Sequence, residues 1–149
     1  MAFWLVKTEP DAFSWDMQVA HKVEPWSGVR NHAAKLNLAK MAVGDRAFFY
    51  HSNIGKEIVG VVEVVRTAYP DPTAEAGSPW LAVDMKAVAP LAKPVSLARI
   101  KENPALAAMA LVKFSRLSVG PVLHTEWDYI LSLAGGIRGG SRSRGRKLS

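Results

Sequence analysis

Residues 47–66 read AFFYHSNIGKEIVGVVEVVR. Two runs rich in aromatic and β-branched side chains, Ala47 to Ser52 and Glu57 to Arg66, flank the four residues Asn53, Ile54, Gly55 and Lys56. A short loop containing Asn and Gly between such runs predicts a β-hairpin. Side chains alternate along a strand, so Phe49 and His51 share one face while Phe48, Tyr50 and Ser52 share the other.

Working upstream, Asn31 is placed to cap a helix whose apolar residues Ala34, Leu38 and Met41 recur at helical spacing, with Gly44 marking its end. Val23 to Val29 holds Pro25 and Gly28 around Trp26 and reads as a loop. Ser14 can cap a helix running to about Lys22, and Phe3 to Lys7 alternates as a short opening strand. Downstream, Thr67 to Pro79 forms a long Pro- and Gly-containing connection, a candidate rim for a binding site. Trp80 to Val88 follows as a strand, with Val83, Met85 and Ala87 alternating against Asp84 and Lys86. Ser96 caps a short helical turn ending near Lys101, and Asn103 with Pro104 at the first helical position predicts a helix to about Val112. Thr125 and Asp128 are spaced as a capping box in front of Trp127, Ile130 and Leu131. Strands concentrated mid-chain with helices on either side predict an α+β fold: a small, mostly antiparallel barrel or curled sheet with packed helices.

With 149 residues, 49% hydrophobic and 21% charged, the chain is long enough and apolar enough to bury a core without metal or disulfide staples. Cysteine is absent, which removes disulfides, thiolate nucleophiles and thiolate metal sites together. The formal charge of +6 is unevenly placed, because Gly135 to Ser149 carries Arg138, Arg142, Arg144, Arg146 and Lys147 with no acid. The body, residues 1–134, is therefore nearly neutral, and residues 135–149 are expected to form a disordered basic tail. A neutral body does not grip a long run of phosphates by itself, whereas the arm can add affinity by counterion release. Residues 1–10 show no basic n-region followed by an apolar core of seven or more residues, so no signal peptide is expected, and no run approaches the roughly 20 apolar residues that span a bilayer. A monomer with no membrane partner is expected, in the cytoplasm or, in a eukaryote, the nucleus.

Motifs for catalysis are missing. There is no GxxxxGK[ST] loop and no GxGxxG after a strand, and His21, His32, His51 and His124 form no HxH or HxxxH pair. No catalytic residue, metal or cofactor is expected. An acid–base role would fall least awkwardly on Glu9 or His51.

The ordered segments WLVKTEP (Trp4–Pro10), FSW (Phe13–Trp15), WSGVRN (Trp26–Asn31), GDRAFFYHS (Gly44–Ser52), IVGVVEV (Ile58–Val64), YPDPT (Tyr69–Thr73), PVSLARIK (Pro94–Lys101) and RLSVGPV (Arg116–Val122) resemble the EVE domain family. The resemblance implies a PUA-like fold, a small barrel with surrounding helices. It also implies a reader of modified bases, with modified cytosines in DNA the favoured ligand and RNA or a free modified nucleotide as alternatives. A fainter positional similarity to YTH domains, readers of N6-methyladenine, rests on the order of Lys7, Thr8, Trp26 and the hairpin.

A base drawn from its stack needs a flat aromatic face and polar groups for its Watson–Crick edge. Trp26, in a loop, is the first candidate for that face, with plain core as the alternative. Asn31 can read a base edge or cap a helix. Tyr50 and Ser52 are favoured over His51 for a barrel mouth, the alternative being that Tyr50 is core and Ser52 starts the turn. Lys7, Glu9 and Ser14 enter through the opening motif, and Arg30 can meet a flanking phosphate or pair with an acid. Trp4, Trp80 and Trp127 are expected in the core. Two other readings compete with base recognition: a hydrolase or transferase acting on modified nucleotides or RNA, and a domain binding a peptide or small molecule.

Overall fold

The computed structural model describes residues 1–138. Among the described residues six strands, β1 (Phe3–Thr8), β2 (Val23–Trp26), β3 (Arg46–His51), β4 (Glu57–Pro70), β5 (Leu81–Ser96) and β6 (Val119–Val122), form one sheet in the order β2-β5-β4-β3-β1-β6. Five helices accompany it there: α1 (Trp15–His21), α2 (His32–Lys40), α3 (Leu97–Lys101), α4 (Ala110–Lys113) and α5 (His124–Ala134). Strands β1 and β3 run parallel, and the other pairings in this sheet are antiparallel. The expected hairpin is present, with β4 reaching Pro70 and so absorbing the start of the expected long connection.

Of the barrel or curled sheet expected, a barrel is not confirmed and the curled sheet is what is seen. Strands β2 and β6 lie at opposite ends of the sheet and do not pair, so the sheet is open. It is nevertheless strongly curled. Register shifts interrupt the β4–β5 ladder at four places, and bulges of this kind bend a strand and increase its twist. As a result α2 packs against β4, β5 and β6, elements drawn from both halves of the sheet.

Period-two alternation divides the core between the two faces. Trp4, Val6, Phe49, Val62, Val64, Val83 and Met85 gather with Trp15 of α1 and Leu38 of α2 on the inner face. Leu5, Phe48, Tyr50, Ile58 and Val61 gather with Ile100, Leu111, Trp127 and Ile130 of α3, α4 and α5 on the outer face. Asp45 ties the first strand to the turn after α2. Its buried carboxylate accepts from Ala2 N, Trp4 Nε1 and Ala42 N at 3.0–3.1 Å.

Several local signals act as read. Ser14 Oγ caps α1 by accepting from Met17 N at 3.2 Å, Asn31 Oδ1 caps α2 through Ala34 N at 2.9 Å, and Ser96 Oγ caps α3 through Arg99 N at 3.1 Å. Others shift. Val23–Trp26, read as a loop, is the edge strand β2, where a proline costs little because the missing N–H faces no partner strand. Pro104 opens only a single 3-10 turn to Leu106, and α4 follows separately. The cap of α5 lies two residues earlier than expected: Leu123 N donates to Glu126 Oε1 at 2.8 Å, so Glu126 rather than Asp128 closes the first turn. Within the expected tail, Gly135 adopts φ +74° to end α5, Ile137 bridges to Leu91, and Arg138 N donates to Pro90 O at 2.8 Å. Residues 139–149 lie outside the described residues.

One glycine is dictated by packing. A Cβ built on Gly60 would lie 2.6 Å from the Trp15 ring, so the indole of α1 rests directly on the β4 backbone. Gly60→Ala is expected to lower stability by roughly 1–3 kcal/mol through overpacking, read from the urea midpoint at unchanged m-value.

Candidate binding site

The two ends of the curled sheet face each other across a cavity of about 360 Å³. One wall is β2, through Glu24, Pro25 and Trp26; the opposite wall is the end of β1, Lys7 and Thr8, with Ser118 just before β6. The loop Ser27–Arg30 and residues Ala12 and Phe13 complete it. The opening between the ends of the sheet is thus the candidate site, and its volume falls within the range usual for small-ligand pockets, roughly 300–1,000 Å³.

The apolar part of the wall is Trp26 and Phe13. Their rings meet edge to face at 6.2 Å between centroids, and Trp26 packs in the same manner on Phe49 at 5.6 Å. Trp26 is 7% exposed, so it is at once cavity wall and core. Lys7 supplies the cationic part. Its Nζ donates to the Ser115 carbonyl at 2.9 Å, one of three donors an ammonium carries, and burial lowers its pKa below the usual lysine value.

The loop Ser27–Arg30 is held from behind by a single carboxylate. Asp71 is buried and accepts from Gly28 N at 2.7 Å, Arg30 Nη1 at 3.0 Å, and Thr73 N and Oγ1 at 2.7 Å each. Burial by itself would raise its pKa, but the bonds from Thr73, Gly28 and Arg30 outweigh that and hold it at about 2. Gly28 sits at φ +81°, a conformation natural to glycine, which lets its N–H turn toward the carboxylate. Arg30 also reaches Thr73 Oγ1 at 3.3 Å and lies 5.8 Å from the Trp80 ring centroid. Trp80, expected in the core, is only partly buried and lies tilted against the His32 ring, with 4.8 Å between centroids.

Of the sequence candidates, Lys7, Trp26 and Arg30 line this cavity together. Asn31 adjoins it, on the rim of a second depression, with its carbonyl oxygen committed to capping α2. Ser14 is committed likewise to α1. Glu9 is exposed outside the cavity, 3.4 Å from Asn53 Nδ2. Tyr50 is 3% exposed on the outer face, in the core cluster opposite the cavity, because the inner side of β3 is the one that carries Phe49. Ser52 follows β3 and donates its N–H to Thr8 O at 2.9 Å. His51 shares the Phe49 side, and its Nε2 accepts from Trp15 N at 3.1 Å, which requires the neutral ring; burial lowers its pKa, against the opposing charges of Glu57 and Asp16. Phe13, Ser27, Gly28 and Ser118 line the cavity without having been singled out, although they stand inside the FSW, WSGVRN and RLSVGPV segments. Among the described residues, no group of three or more His, Asp or Glu is placed to hold a metal ion, and no helix is long and apolar enough to cross a membrane.

An open, curled, six-stranded mixed sheet with helices on both faces and a small polar-rimmed cavity between its ends is consistent with the PUA-like class. An ASCH protein of Zymomonas mobilis shares the fold at a TM-score of 0.56 and 14% identity, over 89% of this chain and 95% of that one. More specifically, residues 2–133 match the EVE domain model, and the chain belongs to the EVE domain family. It is 35% identical to rat (Rattus norvegicus) thymocyte nuclear protein 1 over 88% of this chain and 73% of that protein. A Rhodopseudomonas palustris protein solved by NMR superposes with a TM-score of 0.86 at 55% identity, covering 91% of this chain and 94% of that one. The human THYN1 protein, crystallised in complex with 5-methylcytosine-containing DNA, superposes with a TM-score of 0.84 at 30% identity, covering 90% and 98%.

Proposed function

We propose that this chain binds nucleic acid and takes a modified base, a modified cytosine in DNA by preference, into the cavity between the ends of its sheet. The observation that carries this reading is the composition of that cavity: an aromatic wall of Trp26 and Phe13 facing the half-buried ammonium of Lys7 across about 360 Å³. An extruded base needs an apolar face in place of its stacking neighbours and a few donors for its edge, and this wall and this ammonium are of those two kinds. The complex of human THYN1 with 5-methylcytosine-containing DNA supports DNA as the partner. Recognition without catalysis agrees with Glu9 lying outside the cavity and with His51 Nε2 being occupied by the Trp15 amide.

The test is a binding panel of deoxy- and ribo-oligonucleotides that differ only in one base modification, followed by melting temperature and by titration. A modified cytosine in DNA is expected to stabilise the protein more than cytosine does. Equal stabilisation by both would sink the specificity claim, and preference for a ribo-oligonucleotide would transfer it to RNA. Lys7→Met makes the assignment residue-specific. The ammonium is held below its ordinary pKa by burial, with a carbonyl rather than a carboxylate as its partner, so an apolar side chain of similar length relieves desolvation. Stability at pH 7 is expected to hold or rise, while affinity for the modified oligonucleotide drops about tenfold or more, the size of a missing charge-assisted hydrogen bond.

A further inference from the structure

Next to the base cavity lies a second depression of about 510 Å³, lined by Asn31, Ala33, Lys113, Phe114, Arg116 and Leu117 together with Ser115. The segment Lys113–Arg116 is exposed throughout and folds as a turn, with Leu117 N donating to Phe114 O at 3.0 Å. Phe114 is 60% exposed, whereas Phe3, Phe13, Phe48 and Phe49 are all partly or fully buried. Lys113 and Arg116 flank it, and among the described residues no carboxylate lines the depression. One hydrogen bond joins this turn to the cavity, from Lys7 Nζ to Ser115 O at 2.9 Å, and just past the turn Lys7 N donates to Ser118 O of the cavity lining at 2.9 Å. Arg30 and Asn31, consecutive in the chain, divide the two depressions between them.

We propose that the Lys113–Leu117 turn is a second nucleic-acid contact, in which the Phe114 ring packs on a base neighbouring the one held in the cavity and Lys113 and Arg116 meet the adjacent phosphates. This rests on the base-binding reading of the cavity. An exposed aromatic between two cations, in a depression free of acids, has the composition of a strand-binding surface, where rings stack on bases and cations follow the backbone. The body as a whole is nearly neutral, so a local pair of cations beside the cavity supplies what the overall charge does not. Stacking beside the vacated position would also compensate for the neighbour that an extruded base leaves behind.

The experiment compares two ligands, a DNA duplex carrying one 5-methylcytosine and the 5-methyldeoxycytidine mononucleotide, against Phe114→Ala, the pair Lys113→Ala and Arg116→Ala, and Lys7→Met. All three turn positions are exposed, so these variants are expected to keep the wild-type melting temperature. Phe114→Ala is expected to weaken duplex binding about tenfold and leave the mononucleotide unaffected. The double variant is expected to reduce the slope of log affinity against log salt by nearly two, about 0.9 for each phosphate that the protein no longer neutralises. Lys7→Met is expected to weaken both ligands. If Lys7→Met weakens the duplex while both turn variants bind it with wild-type affinity and salt slope, the inference falls and the cavity reading stands. If the turn variants weaken it and Lys7→Met does not, the turn contacts nucleic acid and the cavity reading falls. A change confined to self-association of the protein would overturn the inference in favour of an interface between copies.

Discussion

Asp71→Asn is expected to lower stability at pH 7 by about 3 kcal/mol and to weaken binding of a modified oligonucleotide, although the side chain lies outside the cavity lining. The carboxylate accepts four hydrogen bonds at 2.7–3.0 Å and its side chain is fully buried, so an amide leaves donors facing an NH2 group and a guanidinium without its charge partner. Arg30 is 41% exposed on its side chain, which keeps the loss nearer the lower end of what breaking a buried pair produces. The effect on binding follows from position: Gly28 and Arg30 form the cavity wall, and both are oriented by this one residue. A pH signature separates this account from general destabilisation. The folded pKa of about 2 lies below the unfolded aspartate value, roughly 3.9, so the stabilisation is complete above about pH 4 and is lost as pH falls toward 2. That window is worth roughly 2–3 kcal/mol in the wild type. Asp45, also held low by its hydrogen bonds despite burial, titrates in the same direction in both proteins, so the variant loses only the Asp71 share of the acid slope. Urea unfolding at pH 7 and pH 3 checks both parts. A variant within about 0.5 kcal/mol of wild type at pH 7, a difference ordinary for surface changes, would show that the clip does not hold the loop.

What the sequence made legible was local, and what it hid depended on pairing at long range. The hairpin and the Ser14, Asn31 and Ser96 caps are set by residues within a few positions of one another, so their signals survive without a structure. Strand β2 was hidden because its pairing partner, β5, lies some sixty residues away and because Pro25 is harmless only on an edge, a status the sequence does not display. β6, four residues with Gly120 and Pro121 in the middle, carries no periodicity to read. The site follows the same division. Alternation correctly sorted Phe49 and His51 from Phe48 and Tyr50, but nothing in a period of two says which set faces inward, and Tyr50 lies on the outer face. Asn31 and Ser14 have the polar chemistry expected of base readers and spend it on helix ends. Asp71 stood in a quoted segment, YPDPT, as a turn residue; only the fold brings it to Gly28 and Arg30, more than forty residues back.

Trp26→Ala is expected to produce the largest stability loss, about 3–5 kcal/mol, because the ring fills the seam between β2 and the inner face, where Phe13 and Phe49 meet it edge to face. The same change is expected to reduce modified-base affinity by about tenfold to a hundredfold, the range of base–aromatic stacking. These two losses are easily confused, since a partly unfolded protein also binds weakly. Trp26→Phe separates them. It keeps a flat ring against Phe13 while removing part of the volume, so a stability loss of about 1–2 kcal/mol should accompany mostly retained affinity and an intact preference for the modified base. Both variants need titration at a temperature well below their own melting points, with the folded fraction confirmed by near-ultraviolet circular dichroism. If the alanine variant, folded under those conditions, binds like wild type, Trp26 is core alone, and Phe13 remains as the aromatic wall of the cavity. If the phenylalanine variant loses affinity as completely as the alanine one, the indole itself is read, through its extent or its Nε1 donor, and a stacking surface of any aromatic kind is not enough.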